Sequence, residues 1–144
     1  MKEQVIDAQG RGATYAVVFD PGDEVMAGLL DFATRHDLGA AQFTAIGVFS
    51  DVTFGYLERA TGVYKRMALD EQVEVLALVG NISRADGAPE VHAHVTVGRS
   101  DGTARGGHLL EAHVWPTLEV MVVAAPHQLR RAHDPETGQA LIRL

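Results

Sequence analysis

The sequence predicts an α+β domain, a mixed or antiparallel β-sheet with one main helix packed on it. Two observations favour this fold class. One early stretch has the apolar spacing of a helix, whereas the rest of the chain consists of short apolar or alternating segments separated by turn residues. A strand and a helix followed by a long run of strands place the helix on one face of the sheet. The length of 144 residues fits a single domain, residues 1–144.

The first strand and the helix are predicted from residue types near the N-terminus. Residues 13–19 are rich in aromatic and β-branched side chains, which favour a strand. Asp20 is a capping residue, and the proline and acidic residues that follow it are typical of a first helical turn. Gly39 is expected to end the helix after Leu38. The apolar residues at helical spacing are Val25, Met26, Leu29, Phe32 and Ala33.

Sheet segments follow the helix to the end of the chain. Strong turn signals at residues 86–87, 101–102 and 134–138 separate several of them. The predicted strands are residues 42–48, 52–57, 63–69, 74–82, 90–98, 103–109 and 112–124, with a terminal pair around 128–131 and 140–144.

Three histidines are predicted to meet on one hairpin. His92 and His94 project from the same face of their strand, because successive side chains of a strand alternate. The connection 99–103 suits a three-residue hairpin loop with its glycine in the left-handed conformation. Pairing the two ends of this connection places His94 directly opposite His108, with His92 diagonal to it.

Two interpretations fit this group. Directly opposed Cβ atoms lie about 4.5–5.5 Å apart and diagonal ones about 7–8 Å, so three imidazoles can close around a metal ion. Alternatively, the rings are half-buried and bonded to backbone or hydroxyl groups. Gly106 and Gly107 can admit a bulge, a ligand or another backbone, and a one-residue bulge would turn His108 to the other face. Without cysteine, histidine and carboxylates are the only strong metal ligands.

Several other residues are weaker candidates. Glu119 interrupts the apolar run 114–123, so it either points to solvent or serves as an acceptor beside a histidine or metal. In an enzyme, Glu111 or Glu119 would be the general base. His113 is expected to pack structurally, with an approach to the site as the alternative. The remaining histidines, which are assigned no role in the site, are His36, His127 and His133.

The composition excludes several function classes. A net charge of −7 argues against a broad phosphate-binding surface. The N-terminus has no secretory apolar region and no window approaches the ~18 apolar residues of a membrane span, which predicts a cytoplasmic location without membrane contact. There is no phosphate-binding P-loop, dinucleotide fingerprint or serine nucleophile elbow to identify a reaction.

These motifs resemble the PPC (plant and prokaryote conserved) domain family over nearly the whole chain. The most specific marks are the His-x-His of residues 92–94 and the Gly-Gly-His-Leu of residues 106–109. The segments that also match are 20–23, 45–48, 50–52, 74–76, 79–82, 109–111 and 117–120. The resemblance implies a homotrimer with a metal, zinc expected, on His92, His94 and His108. Neutral imidazoles also suit nickel, copper and iron.

Three functions fit these residues and this resemblance. The first is an assembly or small-molecule-binding module, and the second is a metal-dependent enzyme that uses an open coordination position. The third is DNA binding, because plant relatives carry a separate AT-hook. No Arg-Gly-Arg-Pro core occurs here, and residues 10–12 lack basic flanks and are expected to form a loop. Strong nucleic-acid binding is therefore not expected, and residues 130–131 with 65–66 are the candidate basic patch.

Overall fold

A computed structural model describes residues 1–8 and 12–144, so part of the loop predicted at residues 10–12 lies outside the described residues. The described residues form nine strands and one helix, which confirms the α+β class. In chain order the elements are β1 (Lys2–Asp7), β2 (Ala13–Phe19), α1 (Val25–Arg35), β3 (Ala41–Glu58), β4 (Val63–Leu69), β5 (Val73–Ala85), β6 (Ala88–Gly98), β7 (Ala104–Ala124), β8 (Arg130–His133) and β9 (Ala140–Arg143).

All strands belong to one sheet, in the order β1-β2-β7-β3-β5-β8-β9, with β4 beside β3. Strand β6 pairs with both β5 and β7, and β3 also pairs with both of them, so these four strands form a closed ring. The pairings are antiparallel except for a single parallel bridge between Arg84 of β5 and Arg130 of β8. The sheet is therefore mixed, as predicted, and the ring holds β6 and β7 side by side.

The helix begins later than predicted. Its N-cap is Glu24, whose carboxylate accepts hydrogen bonds from the amides of Met26 at 3.1 Å and Ala27 at 2.6 Å. Asp20 is not the cap, because the chain turns after it: Asp23 N donates to Asp20 O at 3.1 Å.

The structure contains no helix, among the residues it describes, that is long and apolar enough to cross a membrane.

The helix also ends earlier than predicted, at Arg35 rather than Leu38. Asp37 adopts a φ of 50°, the left-handed conformation that commonly ends a helix, so the chain turns before it reaches Gly39. Leu38 N then donates to Ala33 O at 2.9 Å, which satisfies a carbonyl at the helix end.

Two pairs of predicted strands are single long strands. Residues 42–48 and 52–57 are both part of β3, and residues 103–109 and 112–124 are both part of β7. The intervening residues stay paired, since Phe49 lies opposite Val114 and Asp51 opposite His113, with irregular register on either side. Strand β1 was not predicted because four of its six residues are polar and both of its faces are exposed, as an edge strand allows.

The core lies between the helix and the inner face of the ring. Its largest fully buried side chains are Phe19, Phe32, Phe43, Phe49, Phe54, Leu29, Leu78, Ile82, Leu109 and Leu118. Val25, Leu29, Phe32 and Ala33 of the helix are fully buried, which confirms four of the five predicted core positions of the helix.

Gly47 allows β3 and β7 to approach closely. A Cβ atom on this residue would lie 2.3 Å from Thr117 O and 2.7 Å from Leu118 Cα, both rigid backbone atoms. We expect Gly47→Ala to lower the free energy of unfolding by about 1–3 kcal/mol, measured by urea denaturation. Gly98→Ala is the matched control, because the atoms nearest to its Cβ would be those of the exposed, flexible Leu76 side chain, the first at 3.2 Å. Equal losses in both variants would contradict this explanation.

Candidate metal centre

The predicted histidine hairpin is confirmed. Arg99 N donates to Thr103 O at 2.9 Å across the loop, and Gly102 has a φ of 80°. His94 lies directly opposite His108, in a register that continues without a bulge to the loop. The three rings therefore remain on one face of β6 and β7.

One ring nitrogen from each of His92, His94 and His108 lies within 4.8 Å of the others. The ring centroids are 5.0 Å apart for His92 and His108, 5.1 Å for His92 and His94, and 5.5 Å for His94 and His108. Tyr64 stacks on His108 with its centroid 4.6 Å away and an interplanar angle of 25°. This spacing lets a single ion reach all three imidazoles.

The glycines beside the cluster serve close approach between backbones. A Cβ atom on Gly106 would lie 2.4 Å from Val95 O, and one on Gly107 would lie 2.9 Å from Gly55 O. Of the three uses predicted for this glycine pair, the structure shows the approach of another backbone. Strands β3 and β6 both pack closely on β7 here, and His108 pairs with residues of both.

Arg131 of β8 forms a buried wall next to His92. Its side chain is only 7% exposed, and its Nη2 atom donates to His92 Nδ1 at 3.2 Å. Nη2 also donates to Asn81 Oδ1 at 2.9 Å, and Nε donates to Ser83 Oγ at 2.8 Å. Arginine has no acceptor, so His92 Nδ1 must accept, which fixes the tautomer of a neutral ring with its proton on Nε2.

Burial favours the neutral form of two of the three rings. It lowers the pKa of His92 to about 4, with further contributions from the positive charge of Arg131 and from His108 and His94. Burial also lowers the pKa of His108, and neighbouring His94 adds to this effect. A histidine must be neutral to bind a metal. Because their pKa values are lowered, His92 and His108 stay neutral at a lower pH than an ordinary histidine does.

The low pKa of His92 predicts an acid-sensitive fold. In the unfolded chain His92 takes up a proton near pH 6.5, but in the folded protein it does so only near pH 4. For this reason the contribution of neutral His92 to the free energy of unfolding of the metal-free protein should be fully present above pH 6.5. It should be lost as the pH falls from there towards 4. A proton NMR titration should give a His92 midpoint near 4, and His92→Gln should reduce the acid sensitivity in urea denaturation. A midpoint near 6.5 would contradict the prediction.

A cavity of about 570 Å³ opens at the cluster and is lined by all three histidines. Apolar and aromatic side chains form much of its wall, and Arg131 and Glu90 add one charge of each sign. The apolar and aromatic part of the wall includes Tyr56, Leu57, Tyr64 and Leu141.

The two predicted carboxylates are placed elsewhere. Glu111 is exposed and pairs with Arg66 at 3.4 Å, and Glu119 is exposed on the outer face of the sheet, opposite Val18 and Ile46. Neither lines the cavity or belongs to the three-histidine group.

The other histidines also lie outside that group. His113 Nδ1 lies 2.8 Å from Asp51 Oδ1, and this hydrogen bond raises the pKa of His113. His36 caps the helix and contacts Glu3 at 2.8 Å. The exposed histidines of the C-terminal segment are His127 and His133.

Two cavity residues were missed or misassigned from the sequence. Glu90 stands two residues before His92 and four before His94 on β6. Side chains two residues apart on a strand share a face, so this spacing would have placed Glu90 on the same face as the two histidines. Arg131 was assigned to a basic patch with Arg130, but its side chain is buried in the cavity wall. Nothing local in the sequence indicates that β8 returns to this place.

Comparison with known proteins gives a family match and several similar structures. The model of the Plants and Prokaryotes Conserved (PCC) domain matches residues 6–126. A PPC protein from Pyrococcus horikoshii is 30% identical with a TM-score of 0.85, and 91% of each chain is covered. A metal-containing protein from Archaeoglobus fulgidus is also 30% identical with a TM-score of 0.85, covering 99% of this chain and 97% of that one. A proposed DNA-binding protein from Bacteroides thetaiotaomicron is 26% identical with a TM-score of 0.90, covering 98% and 96%.

Sequence similarity also extends to a much larger protein. The bifunctional protein GlmU of a Synechococcus strain is 32% identical over 127 residues, which are 86% of this chain and 19% of GlmU. The chain thus spans about a fifth of the length of the curated relatives it matches.

Proposed function

The chain belongs to the Plants and Prokaryotes Conserved (PCC) domain family, and on this premise we propose that it is a metal-binding module, with zinc as the expected ion on His92, His94 and His108. The observation that carries the proposal is the convergence of one nitrogen from each ring within 4.8 Å, at the wall of a cavity. The metal-containing relative from Archaeoglobus fulgidus supports it.

The residues present fit a metal ion. His108 Nδ1 is buried and has no hydrogen-bond partner among the described residues, and an ion coordinated by this nitrogen would give it one. Three imidazoles without a thiolate suit zinc, and three protein ligands leave one tetrahedral position for a ligand from the cavity. When bound, such an ion supplies Lewis acidity at that position.

Self-association as a homotrimer is the second part of the proposal. The outer face of the sheet carries apolar side chains that are 42–60% exposed on three neighbouring strands: Ile46, Val79, Met121 and Val123. Thr44 of β3 pairs with Met121 on one side and Val79 on the other, and Val79 pairs with His94. The apolar face therefore runs up to the metal site, and an assembly that covers it would bring the sites near subunit boundaries.

A metal-dependent enzyme is the second candidate function, favoured by the cavity beside the cluster. A cavity of about 570 Å³ is within the usual size of small-molecule sites. Glu90 lines it, so the general base of such an enzyme would be Glu90 instead of Glu111 or Glu119. The cytoplasmic location and the weak nucleic-acid binding inferred from the sequence stay predictions. The Arg131 side chain is buried, so it is removed from the candidate basic patch.

Elemental analysis combined with native mass measurement tests the proposal. We expect one zinc or other transition-metal ion per chain in a particle of three chains. Protein that stays metal-free after dialysis against zinc would contradict the metal site. A metal-loaded monomer would contradict the trimer and leave the metal site standing.

A further inference from the structure

We propose that the cavity beside the three histidines binds a small organic carboxylate, and that Arg131 is the residue that fixes its carboxylate group. This inference deepens the proposed function and rests on it, because the argument depends on an ion being bound at His92.

Arg131 has its donors almost fully engaged in the metal-free protein. A guanidinium has five N–H groups and no acceptor. Nε donates to Ser83 Oγ, Nη1 donates to Ala140 O at 2.8 Å, and Nη2 donates to both Asn81 Oδ1 and His92 Nδ1. The contact with His92 is the one that a metal ion changes.

A metal-bound, neutral His92 cannot accept from Arg131 through either ring nitrogen. If Nδ1 binds the ion, its lone pair is already used. If Nε2 binds the ion, the neutral ring carries its proton on Nδ1 and becomes a donor there. In both cases one N–H of Arg131 loses its acceptor on a side chain that is 7% exposed. A buried donor without a partner is costly, so metal loading creates a demand for an acceptor beside the ion.

The charges favour an anionic acceptor. Glu90 is the carboxylate that pairs with Arg131 among the described residues, and its Oε1 lies 3.7 Å from Arg131 Nε, beyond hydrogen-bond distance. The Glu90 side chain is 38% exposed, so water screens part of its charge. A divalent ion and a guanidinium together carry more positive charge than one carboxylate balances, which attracts an anion to the cavity.

The remaining features favour an organic carboxylate over phosphate. A carboxylate offers two acceptor oxygens, which match one freed guanidinium N–H and one open position at an ion. A phosphate would need several further donors, but Arg131's other contacts hold it to Ser83, Asn81 and Ala140, and the described cavity wall contains no lysine. Tyr56, Leu57, Tyr64 and Leu141 give an apolar surface for the organic part of the ligand.

Arg131 stands on a part of the chain beyond the matched family segment, which ends at residue 126. Strand β8 joins the sheet through the single bridge between Arg84 and Arg130, and Arg84 N donates to Leu129 O at 2.8 Å. Leu141, on β9, lines the same cavity. The C-terminal hairpin β8–β9 thus supplies the ligand-selecting wall, while the family segment supplies the three histidines.

Isothermal titration calorimetry on zinc-loaded full-length protein, with zinc content checked first by elemental analysis, tests the inference. Benzoate is the probe, and benzamide is its uncharged match. We expect benzoate to bind at least about 10-fold more tightly than benzamide, and at least about 10-fold more tightly to zinc-loaded than to chelator-treated protein. Arg131→Lys should weaken benzoate binding about 10-fold at unchanged zinc content, because a lysine lacks the planar fork of donors. Arg130→Lys, at the exposed neighbouring position, should change neither.

Each contrary result has a distinct meaning. Zinc-loaded protein that fails to bind benzoate, or that binds benzoate and benzamide equally, overturns the inference while the metal site stands. Phosphate binding more tightly than benzoate overturns the choice of a carboxylate. Absence of zinc in the first step refutes the proposed function instead. If Arg131→Lys does not fold, the comparison of benzoate with benzamide on the unmodified protein still decides the question.

Discussion

Replacing His94 by alanine is expected to lower zinc affinity by at least about 100-fold while the protein stays folded. Removing the hydrogen-bond partner of a metal ligand lowers metal affinity about 10–100-fold. Removing the ligand itself should therefore lower metal affinity by at least the upper end of this range. The His94 side chain is exposed on the outer face, so its truncation leaves no cavity in the core. His108 is a poorer choice for this test, because it is half-buried and stacks on Tyr64.

The measurement is competition with a chromophoric zinc chelator, together with elemental analysis and circular dichroism. His133→Ala is the matched control, since His133 is also an exposed histidine on a strand but lies outside the cluster. The control should retain zinc affinity. A folded His94→Ala variant that keeps one zinc per chain would refute the three-histidine site.

The part of the site that could be predicted is the part encoded in one hairpin. His92, His94 and His108 lie within 17 residues, and the loop at Gly102 fixes their register, so strand alternation and turn geometry determine the outcome. Glu90 belongs to the same pattern and was overlooked because it is not a histidine. The local sequence pattern of this hairpin therefore identifies four of the residues that line the cavity.

The rest of the site depends on contacts between distant segments. Arg131 reaches His92 because β8 returns to β5 through one parallel bridge, and no local pattern encodes that return. The same reason explains the carboxylate predictions. Glu119 looked exceptional within an apolar run, but that run alternates between a buried inner face and an outer face that carries Met121 and Val123. In a single chain the outer face is exposed to solvent, so a carboxylate there needs no partner in a site.

The strand boundaries were harder to predict than the fold class. Long strands with irregular register, such as β3 around Phe49, look like two short strands because the alternation of buried and exposed residues shifts phase at each irregularity. An exposed edge strand such as β1, whose two apolar residues lie on opposite faces, has no apolar face to detect. These errors left the α+β class unaffected, because one helix among many sheet segments stays the dominant pattern.

Replacing Met121 by aspartate is expected to convert the proposed trimer into monomers. Met121 is 42% exposed on the outer face of β7, where it pairs with Ala16 of β2 and Thr44 of β3. In the proposed assembly this position is covered, so each chain would bury one unpaired carboxylate in an apolar contact. Such burial costs several kcal/mol for each charge, and a closed symmetric interface repeats that cost in every subunit.

Leu30→Asp is the matched control for this variant. Leu30 is 43% exposed, nearly the same as Met121, but it lies on the helix instead of the outer face of the sheet. Light scattering after size exclusion should give a single-chain mass for Met121→Asp and a three-chain mass for Leu30→Asp. Zinc content of the Met121→Asp monomer then separates the two parts of the proposal, because all three proposed ligands come from one chain. A three-chain mass for both variants would show that the outer face around Met121 does not hold the assembly together.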